Sequence, residues 1–236
     1  MTVVLAYRDP ASKCAYMASD SCASDVINHS LVRNNKVFHP VGRKDILIGC
    51  AGTFRLPNLL QFVPDIFPGE DILGTDEINM SYLVNEFTPV VGALVDGFDE
   101  SDTWEMLLAV GDRIYRMQMD LSIVEPADES DAIGSGGSVA LGAFKVLNEL
   151  EPNMPIEDRM KHALNVACSS CQGCMPPFAF CKTEEPDVKP DGTKVRVKTG
   201  YEIIRHDDED DFVDEIPTAK AIPKKKKKKK KKDKNE

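Results

Sequence analysis

Thr2, directly after the initiator Met1, is the first residue whose type and position could do chemistry. Its small side chain is of the kind that permits removal of Met1, and removal leaves one residue with both a hydroxyl and a free α-amine. An amine with a pKa of about 8 suits general-base work on its own hydroxyl, which becomes a nucleophile. Four more residues stand at punctuated places. Asp20 closes Ala18-Ser19-Asp20, Lys36 lies in Asn35-Lys36-Val37, Gly52 follows Gly49-Cys50-Ala51, and Ser135 sits in Gly134-Ser135-Gly136-Gly137. Each has a plain structural reading as well: Asp20 as a turn cap and Lys36 as an exposed strand lysine. Gly134, Gly136 and Gly137 could cradle a phosphate at a helix N-terminus, although the lysine and hydroxyl residue of a P-loop are missing. His29, His39, His162 and His206 show no ligand spacing.

Cys168, Cys171 and Cys174 form C-x2-C-x2-C, with Cys181 as a fourth candidate ligand. That spacing resembles part of a zinc or iron-sulfur ligand set. It also places the three thiols on one helix face, where cysteine behaves as a small buried hydrophobe; a redox-sensitive thiol is the third reading. Seven cysteines, an odd number, argue against a disulfide framework.

The elements that must position these residues are legible in the periodicity. Thr2 to Arg8 and Cys14 to Asp20 read as strands around the turn chemistry of Asp9-Pro10-Ala11-Ser12. A second strand pair is expected at Ser30 to His39 and Ile46 to Ala51, joined by Pro40 to Asp45. Leu83, Phe87, Val91, Leu94 and Phe98 recur at the helical period over Ile78 to Phe98, with Pro89 expected to kink or restart the helix. Strands return at Trp104 to Val110, Arg113 to Met119 and Ala132 to Gly134. Helices follow at Ser138 to Leu150 and Pro155 to about Cys171, and a closing strand at Pro177 to Lys182. The order predicts a layered α+β domain with a sheet core and helices outside.

The 236-residue chain, 42% hydrophobic, is long enough for a substantial core. No apolar run approaches the roughly 18 to 20 residues of a membrane-spanning helix. The start has no basic n-region, so a cytoplasmic, reducing compartment is expected. Ten of the 29 basic residues lie in 224–236, and without that segment 19 basic face 37 acidic residues, a net charge near −18. Such a body is a poor nucleic-acid surface; only the lysine tail could contact nucleic acid or an acidic partner. Residues 186–205 read as a peripheral hairpin or extension, and 206–236, acidic and then lysine-rich, as disordered.

Thr2, Asp20, Lys36, Gly52 and Ser135 together resemble the N-terminal nucleophile (Ntn) hydrolases, specifically the proteasome β-subunit family in its bacterial HslV-type branch. The resemblance covers about residues 2–185, and the Asp20-to-Lys36 interval fits without a gap. It implies a four-layer αββα sandwich of two antiparallel sheets flanked by helices, in agreement with the element order. It makes Thr2 the catalytic N-terminal threonine, Lys36 the catalytic lysine, Asp20 the aspartate that holds it, Ser135 the serine near the amine, and Gly52 the oxyanion donor. One departure is Cys171, where many proteasome subunits have an aspartate, paired with a serine where this chain has Cys174; HslV-type chains also carry cysteine at the first position. The resemblance further implies a threonine endopeptidase acting on unfolded polypeptides inside a homo-oligomeric ring, fed by a separate AAA+ unfoldase. It implies no cofactor for peptide hydrolysis, and a structural monovalent or divalent cation held largely by backbone carbonyls near Cys168, Cys171 and Cys174. Two other readings remain open: a catalytically silent scaffold subunit, and an amidohydrolase acting on a small molecule.

Overall fold

The computed structural model describes residues 2–24, 29–32, 35–63, 66–69 and 73–184. The expected hairpin at 186–205 and tail at 206–236 lie outside the described residues. The chain begins with β1 (Val4–Asp9), β2 (Cys14–Asp20), β3 (Cys22–Ser24), β4 (His29–Leu31), β5 (Val37–Phe38) and β6 (Ile46–Gly52). Then come α1 (Arg55–Phe62), α2 (Met80–Tyr82), a π-helical stretch Leu83–Phe87 and α3 (Thr88–Val95). The second half runs β7 (Trp104–Val110), β8 (Arg113–Met117), β9 (Ile123–Val124), β10 (Ser130–Ile133), α4 (Gly137–Leu150), α5 (Ile156–Ser170) and β11 (Phe178–Lys182).

Alternation along the first strand sets the layers. Val3, Leu5 and Tyr7 pack with Ala140, Phe144, Met160 and Leu164 of α4 and α5, whereas Val4 and Ala6 pack with Leu47, Leu107 and Ala109 of the opposite sheet. A strand buried on both faces needs cover on both, and the period of two supplies it. β6 does the same: Leu47 and Ala51 face the other sheet, and Ile46, Ile48 and Cys50 join Leu56, Leu60, Phe87 and Val91 of the helical layer. One sheet has the order β10-β1-β2-β11 and the other β5-β6-β7-β8-β9, with neighbouring strands antiparallel in both. Helices α4 and α5 cover the first sheet and α1 to α3 the second, giving the expected four layers. No described helix is long and apolar enough to cross a membrane.

Two expectations change in detail. The strand expected over Ser30 to His39 is two short pieces: β4 pairs with β3 in a separate ribbon, and β5 joins the second sheet. The backbone bends at Lys36, where the side chain turns inward rather than lying exposed. The helix at 80–95 is not interrupted at Pro89. A π-helical stretch just before it widens the turn into which the proline ring would otherwise press, and the Thr88 hydroxyl donates to the Leu83 carbonyl at 2.8 Å. The two-residue β9 carries no sequence signal of its own.

Candidate active site

Thr2 is placed by its neighbours on both sides of β1. Val3 N–H donates to Asp20 Oδ1 at 3.0 Å, and Asp20 N–H donates back to the Val3 carbonyl at 3.3 Å. From the other side the loop after β10 closes over Thr2. Thr2 N–H donates to Ser135 Oγ at 3.3 Å, and the Thr2 carbonyl accepts from Gly136 N–H at 3.2 Å and from Ser135 Oγ at 3.4 Å. Gly134 makes that approach possible: its φ is +82°, and a Cβ there would lie 2.4 Å from the Thr2 carbonyl oxygen. Thr2 is left 4% exposed.

Asp20 and Lys36 form a buried pair at 2.7 Å, 1% and 2% exposed as residues. A carboxylate removed from water must have its lone pairs met, and four donors meet them. Oδ1 accepts from Val3 N–H and Lys36 Nζ; Oδ2 accepts from Cys22 N–H at 3.0 Å and Met175 N–H at 3.3 Å. Lys36 Nζ also donates to the Cys22 carbonyl at 2.6 Å. These bonds use two of the three donors of an ammonium.

Gly52 ends β6 with φ +99°, and a Cβ there would lie 2.0 Å from the Thr103 carbonyl, so no side chain fits. It lines, together with Thr2 and Ser135, a cavity of about 680 Å³, a size that suits a ligand of peptide or drug dimensions. All five sequence-predicted catalytic residues are thus described: Thr2, Ser135 and Gly52 line the cavity, and Asp20 and Lys36 lie buried and hydrogen-bonded beside Val3. The lining is completed from the start of β7 and the end of β8: Thr103, Trp104, Glu105, Gln118, Met119 and Asp120. Sequence reasoning missed these six, which belong to no motif and meet Thr2 only through the packing of one sheet on the other.

The phosphate-cradle reading of the glycine loop fails on its donors. Gly134 N–H donates to Glu105 Oε2 at 3.1 Å, Gly136 N–H to Thr2 O, and Gly137 N–H to Gly134 O at 2.9 Å. The three amides are already engaged.

The cysteine triplet is not gathered into a thiolate ligand set. Among the described residues no group of three or more His, Cys, Asp or Glu is placed to hold a metal ion. The helical spacing that would align Cys168, Cys171 and Cys174 stops at Ser170, and Cys171 is already extended, with φ −119° and ψ 117°. Burial, reinforced by neighbouring Cys174 and Asp20, pushes the Cys168 thiol up to about 12; burial and Asp20 push Cys174 up to about 11. A thiol raised in this way is a weak nucleophile. They pack against the site instead: Cys171 Sγ lies 3.6 Å from the Ser135 carbonyl, and Cys174 is 3% exposed in the core under α4 and α5.

No protein-family model matches the sequence. Solved structures do. The chain is similar to BPH of Thiobacillus denitrificans in complex with epoxomicin, at 17% identity over 78% of this chain and 98% of that one, with a TM-score of 0.58. It is similar to eukaryotic HslV from Trypanosoma brucei at 16% identity, covering 78% of this chain and 100% of that one, TM-score 0.57. Anbu, an ancestral β-subunit, from Yersinia bercovieri matches at 16% identity over 77% and 81%, TM-score 0.57. At these identities the likeness establishes the fold, which is the proteasome-type Ntn hydrolase fold.

Proposed function

We propose that this chain is a threonine-type endopeptidase whose nucleophile is Thr2 after removal of Met1. The observation that carries the reading is the convergence on one residue: Ser135 Oγ 3.3 Å from Thr2 N, the buried Asp20–Lys36 pair hydrogen-bonded to Val3 N–H, and an open cavity on the other side. In the proposed mechanism Thr2 Oγ attacks the peptide carbonyl, and its proton passes, directly or through a water, to the Thr2 amine, which Ser135 Oγ orients. Positive charge on Lys36, held in place by Asp20, favours the developing alkoxide. The Gly52 N–H meets the oxyanion, a contribution of about 3 kcal/mol for such a donor. The leaving amine takes the proton, the ester remains on Thr2, and water then hydrolyses it and restores the hydroxyl. No cofactor enters these steps.

The fold supports the same reading at a coarser level, since it is shared with HslV and with a protein bound to epoxomicin. We extend it to a cytoplasmic homo-oligomeric ring that encloses the Thr2 sites and receives unfolded polypeptide from a separate ATP-driven unfoldase. The test is the intact mass of protein made in cells, before and after a peptide epoxyketone, a reagent that requires both the hydroxyl and the free amine. The expected result is loss of Met1 and one adduct on Thr2, absent from Thr2→Ala. Retained Met1 with no adduct refutes the catalytic assignment and leaves a silent scaffold subunit as the better account.

A further inference from the structure

The cavity beside Thr2 is charged as well as shaped, and its charged side chains are of one sign. Of the described residues lining it, Glu105 and Asp120 are acidic and none is basic. Neither carboxylate is in an ion pair with a described residue. Glu105 Oε2 accepts the Gly134 N–H, and Asp120 Oδ1 accepts the Ser122 N–H at 2.9 Å. Hydrogen bonds from Ser122 hold the Asp120 carboxyl below its usual pKa, so it is anionic at neutral pH. Arg116, the closest cation along β8, does not compensate them. It faces the other sheet, pairing with Asp131 and donating to the Ala132 carbonyl at 2.8 Å. Unpaired like charges in a cleft raise the local concentration of the opposite charge.

The rest of the wall offers apolar surface next to those carboxylates. Ala51 and Trp104 are buried at 5% and 4%, and Met119 is 48% exposed. A long aliphatic stem with a charged head matches this combination better than a short or acidic side chain does. We propose that the cavity selects polypeptides carrying a lysine or arginine side chain near the bond presented to Thr2, the stem against Trp104 and Met119 and the cationic head at Glu105 and Asp120. The position of that bond rests on the peptidase reading. The selection itself is a binding event.

It is therefore tested by binding, in full-length Thr2→Ala protein that cannot consume its ligand. Three blocked peptides, Ala-Ala-X with X lysine, norleucine or glutamate, carry the same fluorophore and are titrated by anisotropy. The lysine peptide binds about tenfold more tightly than the glutamate peptide at low salt, with norleucine between them. At about 0.5 M salt the spread narrows, because the acidic wall is partly solvated. Adding Asp120→Asn reduces the lysine-to-glutamate ratio about threefold, and adding Glu105→Gln reduces it further. Circular dichroism confirms that each variant is folded. Equal affinities, no binding by any peptide, or a lysine preference that survives both substitutions overturns the proposal. The epoxyketone adduct on Thr2 of the unsubstituted protein is read separately: an adduct without charge preference removes the selection alone, and charge preference without an adduct removes the peptidase reading alone.

Discussion

Two buried ion pairs, Asp20–Lys36 and Arg43–Asp45, are withdrawn from solvent to the same degree, with side chains no more than 2% exposed. They are built for different ends. Arg43 forms a two-pronged bond to Asp45, Nε to Oδ1 at 2.8 Å and Nη2 to Oδ2 at 2.6 Å, while Nη1 donates to the Pro68 carbonyl at 2.6 Å. The Thr75 hydroxyl adds a bond to Asp45 Oδ2 at 2.8 Å. This pair staples three segments, and planar fork geometry suits that task. The other pair uses a point charge on a flexible stem. Its acid is anchored by three backbone N–H groups, one from Val3, next to Thr2, and one from Cys22, whose carbonyl also accepts from Lys36 Nζ. Degree of burial therefore does not separate a structural charge pair from one proposed to act in catalysis; the donor geometry and what lies next to it do.

The largest effects come from exchanging the pairs' chemistry. Lys36→Arg retains a cation for Asp20 but replaces a compact ammonium with a wider fork in a closed space, so peptide turnover falls by roughly 10²-fold or more while the protein stays folded. Arg43→Met removes the guanidinium that faces the buried Asp45 carboxylate and destabilises the fold by about 3–5 kcal/mol. Turnover per folded molecule survives that change. Denaturant titration alongside active-site titration with the epoxyketone checks both; a folded Arg43→Met protein with lost turnover, or Lys36→Arg with normal turnover, breaks the distinction.

A smaller effect sharpens it from the Thr2 side. Gly134→Ala places a methyl group within 2.4 Å of the Thr2 carbonyl at φ +82°, so the loop carrying Ser135 must shift. The expected cost is about 1–3 kcal/mol of stability, with a fall in turnover at unchanged peptide affinity. Gly142, in the exposed face of α4, has nothing within 4 Å of the corresponding position. Gly142→Ala therefore raises stability by about 0.5–1 kcal/mol without touching turnover. Thermal melts of the two variants, compared with their kcat and KM, separate a glycine required by close approach from one that is merely tolerated.

The same contrast explains what the sequence made legible. The strand hairpin, the helices at 137–150 and 156–170 and the layer order follow from alternation and from the helical period, because burial on two faces imposes those periods. Thr2, Asp20, Lys36, Gly52 and Ser135 stood out as a set through the family resemblance that their types and spacing carry; taken singly, Asp20 and Lys36 read as a turn cap and a strand lysine. Lys36 was legible as a residue but not as a buried one, since nothing local signals the bend that turns it toward Asp20. Glu105, Gln118 and Asp120 carried no signal at all: they sit at or just beyond ordinary strand ends, and only the stacking of the two sheets brings them into one cavity with Thr2. The Arg43–Asp45 staple escaped notice for the same reason, its partners Pro68 and Thr75 lying in irregular chain.

The smallest effect separates the two regions by pH. His39 follows β5 and is partly buried, its Nδ1 2.8 Å from the Ile46 carbonyl. Burial lowers its pKa below the usual 6.5, opposed in part by that carbonyl and by Glu184, with Lys44 acting in the same direction as burial. The unfolded chain then takes up the His39 proton more readily than the folded one. This contribution to stability is complete above about pH 6.5 and is lost progressively as pH falls from there toward the lower folded value. Denaturation of His39→Gln, whose amide can keep a bond to the Ile46 carbonyl, shows a shallower loss between neutral and mildly acidic pH than the unsubstituted protein. Turnover follows a different group. It rises through the pKa of the Thr2 amine, near about 8 for an unperturbed α-amine, and His39→Gln leaves that profile in place. If turnover and stability instead fell with one midpoint, and both moved in His39→Gln, the staple end and the Thr2 end would be one coupled unit rather than two.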